Sequence, residues 1–175
     1  MPIDANAAFK PVRIALLTIS DSRTMAEDKS GDTLAARISD AGHIIAERVL
    51  LRDDADDIVA LLHRWCEDDG VDAVITTGGT GLTGRDVTPE ALARLGGKDI
   101  PGFGELFRWL SFAKIGTSTI QSRACAVVAK GTYIFALPGS TGAVKDGWDD
   151  ILVHQLDSRF RPCNFVELMP RLREV

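Results

Sequence analysis

Apolar and polar positions along the chain fall into two recurring patterns. Short, nearly unbroken apolar runs at Val12 to Ile19, His43 to Leu51, Val71 to Thr76, Ala124 to Ala129 and Tyr133 to Leu137 predict buried strands. Between them the spacing is helical. Leu34, Ile38 and Ala41 share a face of a helix opened by Gly31-Asp32 and stopped by Gly42. Ile58, Leu61, Leu62 and Trp65 recur at helical intervals from about Asp56 to Glu67. Thr88 to Leu95 predicts a helix with Thr88 as cap and Pro89 at the first helical position, and Gly96-Gly97 stops it. Pro101 to about Ala113 predicts another, with Leu106, Phe107 and Leu110 as its buried stripe. Gly116 to Arg123 reads as a hydroxyl-rich loop with a short helical turn, and Lys130-Gly131 as the turn between the last two strands. A helix from about Ala143 to His154 closes the pattern, and the Pro-containing stretch from Asp157 onward is expected over the surface or on a neighbouring subunit. Alternating strands and helices predict an α/β fold, a three-layer, mostly parallel sheet with helices on both faces.

Composition narrows the class. With 175 residues, 45% of them hydrophobic, residues 11–175 can form one domain, with residues 1–10 expected as a disordered leader rather than a signal peptide. The net charge of −5 and the lack of a Lys/Arg cluster argue against a nucleic-acid surface, and no apolar run suits a membrane span. Cys66, Cys125 and Cys163 are odd in number and far apart, so they read as reduced thiols of a cytoplasmic protein.

The candidate chemistry gathers where strands end. Val74 to Thr76 runs into Gly78-Gly79-Thr80-Gly81, then Arg85-Asp86, then the helix start at Thr88-Pro89-Glu90. A strand, a glycine loop and a helix N-terminus in succession let backbone N–H groups converge on an anion. Gly79 to Gly84 matches G-x-G-x-x-G, but it lies in the third strand–helix unit and its helix begins several residues late, which argues against a dinucleotide site and a Rossmann oxidoreductase. No Gly-Lys-Ser/Thr follows, so it is not a P-loop either. Ser20 to Thr24, Asp53-Asp54 and Pro138 to Thr141 occupy other strand ends on the same edge. Asp53 and Asp86 beside a phosphate loop suit Mg²⁺, because carboxylates alone would repel phosphates. Each cluster also has a plainer reading: Ser20 to Thr24 as an ordinary turn, Asp53-Asp54 as dipole partners of the next helix, Asp86 as a partner of Arg85 or a helix cap.

The run Thr76-x-Gly78-Gly79-Thr80-Gly81-x-x-x-Arg85-Asp86-Val87-Thr88-Pro89-Glu90-Ala91 resembles the signature of the MoaB/MogA family of molybdenum cofactor biosynthesis proteins, which includes gephyrin-type G domains. The resemblance extends from Val12 to Asn164 and takes in Ser20-Asp21-Ser22, Pro101 to Gly104 and Leu137 to Ser140. Gly116 to Thr119, Gln121-Ser122-Arg123 and Arg161 to Asn164 are similar to the MoaB branch in particular. The resemblance implies a domain that binds molybdopterin and, in active members, adenylylates it with Mg-ATP. It implies Asp53 and Asp86 as catalytic and metal-holding residues. Ser20, Asp21, Gly78, Gly79, Thr80 and Gly81 fall on the nucleotide-phosphate side, and Ser122, Arg123, Gly139 and Ser140 on the pterin side. Some MoaB-branch members lack the Arg-Asp-Val-Thr of the loop, whereas this chain keeps Arg85 to Thr88. The family further implies a homotrimer or homohexamer. Two functions stay open: a molybdopterin adenylyltransferase, or a non-catalytic molybdopterin carrier of the same pathway. Phe103, Phe107 and Leu110 share one helix face, so Trp109 and Phe112 must project elsewhere, onto another subunit or under the tail.

Overall fold

The computed structural model describes residues 3–174. Strands β1 (Arg13–Ile19), β2 (Ile44–Leu51), β3 (Ala73–Thr77), β4 (Lys98–Asp99), β5 (Cys125–Ala129) and β6 (Thr132–Leu137) form one sheet in the order β2-β1-β3-β6-β5-β4. β2, β1, β3 and β6 run parallel, while β5 and β4 are antiparallel to their neighbours. The interior strands β1, β3 and β6 are buried almost throughout, which is why they read as continuous apolar runs.

Side chains of those strands alternate between two cores. Ile14, Leu16, Ile75, Tyr133 and Phe135 point to one face, where α1 (Lys29–Asp40) supplies Leu34 and Ile38 and α4 (Pro101–Ile115) supplies Phe103 and Phe107. The third helix of that face is α5 (Thr141–Gly147), which continues through a π-helical turn at Trp148–Leu152 to Val153–Gln155. Ala15, Leu17, Val74 and Ile134 point to the other face, covered by α2 (Ala55–Glu67) with Ile58, Leu62 and Trp65 and by α3 (Thr88–Ala93) with Ala91 and Leu92. The expected three-layer α/β sheet is therefore present. Truncating any of these fully buried aliphatics costs about 2–5 kcal/mol.

Several local expectations are corrected. α1 begins at Lys29, because Asp28 rather than Gly31-Asp32 opens it: its carboxylate accepts Gly31 N–H at 2.9 Å. Asp28 is fully buried and also takes the Thr18 hydroxyl at 2.7 Å and Arg48 Nη2 at 2.8 Å. In α3, Thr88 is inside the helix and Val87 is the cap residue, so Thr88 does not cap. Leu106 is 40% exposed, because a 15-residue helix packed on one face leaves it at the rim beside Trp109 and Phe112. β4 has only two residues, too few to leave a periodic signal. Residues 3–10, expected as a disordered leader, lie along the C-terminal segment: Ile3 bridges to Phe160 and the Lys10 N–H donates to Ser158 Oγ at 2.9 Å.

Candidate functional site

The chain leaves β1 toward β2 on one side and returns to place β3 on the other, so the strand order reverses between β1 and β3. The carboxyl ends of parallel strands diverge at such a reversal and leave a crevice. Here it is a cleft of about 680 Å³. Its floor comes from the ends of β1 (Ile19 to Arg23) and β3 (Gly78 to Gly81), with Asp53 from beyond β2 and Asp86 from the glycine loop. The rest of its lining comes from Pro138 to Ser140 beyond β6, next to Gly78, from Phe107, Ser111 and Ile115 of α4, and from Thr119, Gln121 and Ser122. Ser20, Asp21, Asp53, Gly78, Gly79, Thr80, Gly81, Asp86, Ser122, Gly139 and Ser140 thus meet in one place.

The loop needs its glycines. Gly78 and Gly79 have φ of +107° and +63°. A Cβ on Gly78 would lie 2.0 Å from the Ile19 carbonyl oxygen, and one on Gly79 would lie 2.3 Å from Thr88 Oγ1 and 2.9 Å from Asp53 Oδ1. Thr88 stitches the loop to α3: its hydroxyl donates to the Gly78 carbonyl at 2.9 Å and its N–H to the Gly79 carbonyl at 3.0 Å.

Arg123 differs from expectation. It does not line the cleft. Its Nε donates to the Gly81 carbonyl at 2.7 Å, its Nη2 to the Asp86 carbonyl at 2.8 Å, and its Nη1 pairs with Glu90. A guanidinium that satisfies two loop carbonyls and a carboxylate is a brace for the glycine loop, with little left to offer a ligand.

Among the acids, structure separates neighbours that look alike in sequence. Asp54 is the α2 cap, accepting the N–H groups of Asp56 and Asp57 at 2.9 and 3.2 Å. Asp53 instead faces the cleft, and no side-chain donor reaches its carboxylate among the described residues. Burial, and then the charges of Asp21 and Asp86, push its carboxyl above the ordinary aspartate value. Arg85 does not pair with Asp86, as the plainer reading had it; it holds Asp21 through Nε and Nη2, both at 2.8 Å. Asp86 accepts the Thr83 hydroxyl at 2.6 Å and the Thr83 N–H at 2.9 Å, and these bonds hold its carboxyl below the usual range.

Ser140 both faces the cleft and caps α5, accepting Ala143 N–H at 3.1 Å. Sequence reasoning did not place Phe107, Ser111 or Ile115 at the site, and took Arg23 only as a member of the Ser20 to Thr24 cluster. The first three recur every fourth residue on α4, and a serine interrupting an aromatic stripe was the available signal.

Among the described residues no group of three His, Cys, Asp or Glu side chains is placed to hold a metal by protein ligands alone. The donors present are carboxylate oxygens, and neither oxygen of Asp53 has a side-chain partner among the described residues. That set fits a hard divalent cation that takes one or two carboxylates and completes its shell with phosphate and water. No helix among the described residues is long and apolar enough to cross a membrane.

Residues 15–158 match the family model described as a probable molybdopterin binding domain. The chain is 48% identical over 157 residues to molybdenum cofactor biosynthesis protein B of Escherichia coli strain K12, covering 90% of this chain and 92% of that one. It is 42% identical over 146 residues to the Bacillus subtilis strain 168 protein of the same name, covering 83% and 86%. Among solved structures, a molybdenum cofactor biosynthesis protein B superposes with a TM-score of 0.86 at 36% identity, over 97% of this chain and all, 100%, of that one. The tungsten cofactor synthesizing protein MoaB of Pyrococcus furiosus gives 0.77 at 31% identity, over 95% and 100%. The chain belongs to the MoaB/MogA family of molybdopterin-binding proteins of molybdenum cofactor biosynthesis.

Proposed function

We propose that this protein binds molybdopterin and adenylylates it with Mg-ATP. An oxygen of the terminal phosphate of molybdopterin bonds to the α-phosphorus of ATP. The bond from that phosphorus to the bridging oxygen breaks, and pyrophosphate leaves with the electron pair. Gly78 to Gly81 form the loop for the nucleotide phosphates, with Gly79 and Thr80 offering their backbone N–H groups, since that of Gly78 is bonded to the Leu137 carbonyl; Ser20 and Asp21 lie beside them, while Ser122, Gly139 and Ser140 face the pterin. Asp53 and Asp86 hold Mg²⁺, which when bound neutralises charge on the reacting phosphates. The protein contributes position and charge rather than a covalent nucleophile.

The observation that carries the reading is Asp53: a partly buried carboxylate without a side-chain donor, beside a positive-φ glycine loop at the strand reversal. Incubation of the purified protein with molybdopterin and Mg-ATP should release pyrophosphate. No release, with molybdopterin still bound, would leave the carrier reading. One observation favours that second reading: Asp86 is already engaged by Thr83 within its own loop.

The same proposal makes the protein a cytoplasmic homotrimer or homohexamer. Trp109, Phe112 and Ile115 are 72%, 56% and 55% exposed on α4, more apolar surface than a soluble monomer usually leaves on one helix. Burial pushes the Cys125 thiol up to about 11 and makes it unreactive.

A further inference from the structure

The four carboxylates and one cation of the cleft are unevenly matched. Asp21, Asp53, Asp86 and Asp146 line it, and Arg23 is its only basic side chain among the described residues. Arg85 already holds Asp21, and Lys114 holds Asp146 at 2.6 Å. Arg23 has no carboxylate partner among the described residues: its Nη1 donates to Ser30 Oγ at 3.0 Å and to the Gly139 carbonyl at 3.1 Å. Its Nε and Nη2 protons are therefore left for a ligand. The guanidinium is also held in place from behind. Ser30 donates in turn to the buried Asp28 at 3.2 Å, and Asp28 is tied to Thr18 of β1 and to Arg48 of β2.

We propose that Arg23 is the binding residue for the phosphate monoester of the pterin substrate, a role that rests on the molybdopterin reading above. Two phosphorylated substrates bring more negative charge than a cation at Asp53 and Asp86 can neutralise, and a second positive group is needed on the pterin side. Arg23 stands there, bonded to the carbonyl of Gly139, a residue that the molybdopterin reading puts on the pterin side. A planar fork with free N–H groups matches a phosphate in two-point fashion, and its anchoring removes much of the ordering cost.

The test uses the oxidised, fluorescent pterin derivative of molybdopterin, with and without its phosphate, titrated against the full chain. Wild type should prefer the phosphorylated form by about tenfold to hundredfold, the range of a charge-assisted contact. Arg23→Met should abolish that preference, leave the dephosphorylated form binding as before and leave ATP affinity unchanged. Arg23→Lys should restore part of the preference. Equal weakening of both pterin forms in both variants would show that Arg23 only pins the two loops, and would overturn the proposal. So would a loss of ATP affinity with the phosphate preference intact. A wild type that binds neither pterin form would sink the molybdopterin reading itself, and this proposal with it. Missing pyrophosphate release alongside a retained phosphate preference would remove only the adenylylation step.

Discussion

Arg85 grips Asp21 through two parallel 2.8 Å hydrogen bonds, and the same Asp21 accepts the backbone N–H of Asp53 at 3.2 Å. The loops beyond β1, β2 and β3 are thereby joined at the mouth of the cleft. Both partners of the ion pair are well exposed, so its role is to set local charge rather than to hold the fold. Arg85→Met should leave the thermal midpoint almost unchanged. It should also raise the Asp53 pKa further, because Arg85 is the charge that opposes Asp21 and Asp86 there. Protonated Asp53 cannot hold a cation, so Mg-ATP binding should fail on acidification at a pH above the ordinary aspartate value of 3.8, and at a still higher pH in the variant. Calorimetric titrations across pH would read this, and coincident acid limbs would refute it.

Asp53→Asn should lower turnover by orders of magnitude with molybdopterin affinity kept. Its raised pKa means the folded protein binds the proton more tightly than the unfolded chain, so ionised Asp53 costs stability as pH rises through that window. The asparagine variant should therefore melt at or above the wild-type temperature at neutral pH. Asp86→Asn should also lose turnover, but it weakens the Thr83 contacts and should melt lower. Wild-type turnover in both variants would remove these residues from the metal site.

The glycines divide sharply. Gly79→Val demands φ of +63° and places atoms against Thr88 and Asp53, so nucleotide affinity should collapse. Gly81→Val meets the Asp86 carboxylate at 2.7 Å and should act likewise. Gly84→Ala has nothing within 4 Å of its added Cβ and should be silent. Equal affinity in all three folded variants would mean the loop does not touch nucleotide.

Asp28→Ala should be strongly destabilising, because it removes at once the buried acceptor of Thr18, Gly31 and Arg48, although Arg48 keeps its pair with Asp32 at 2.7 Å. Burial alone would raise the Asp28 pKa, but hydrogen bonds from Thr18, Arg48 and Gly31 together outweigh it and hold it below the usual value. A depressed pKa gives stability that is present above the unfolded value and lost as pH falls through the folded one. Acid denaturation of wild type should accordingly be steeper than that of Asp28→Asn. Indistinguishable acid profiles would contradict this.

Trp109→Glu should reduce the mass seen by light scattering while circular dichroism stays that of the folded chain. A wild type that runs as a monomer at micromolar concentration would refute the assembly.

What could be read from the sequence follows from how locally each feature is encoded. β1, β3 and β6 are apolar on both faces, so their runs stand out unaided, and the glycine loop announces itself because positive φ restricts residue choice. Asp28 was invisible because its partners, Thr18 and Arg48, come from two different strands. Asp53 and Asp54 are chemically alike, and only the direction of the chain entering α2 makes one a cap and the other a cleft residue. Arg123 was read with Ser122 as one motif, yet adjacent residues leaving the 3₁₀ turn Gly116–Gln121 point to opposite sides of the loop.

The parallel pairing of β3 with β6 joins Thr77 to Leu137 and sets Gly139 within a Cβ's reach of Gly78. On the ribosome, β1 and β3 emerge long before β6, so a central strand destined for full burial waits with one edge unpaired while most of the remaining chain is made. The two halves of the cleft meet only when that last interior strand docks. Such non-local closure is slow and exposes the waiting edge to other chains, so newly made protein should depend on chaperones more than its modest length suggests. Ligand competence and escape from aggregation are then gained in the same late event.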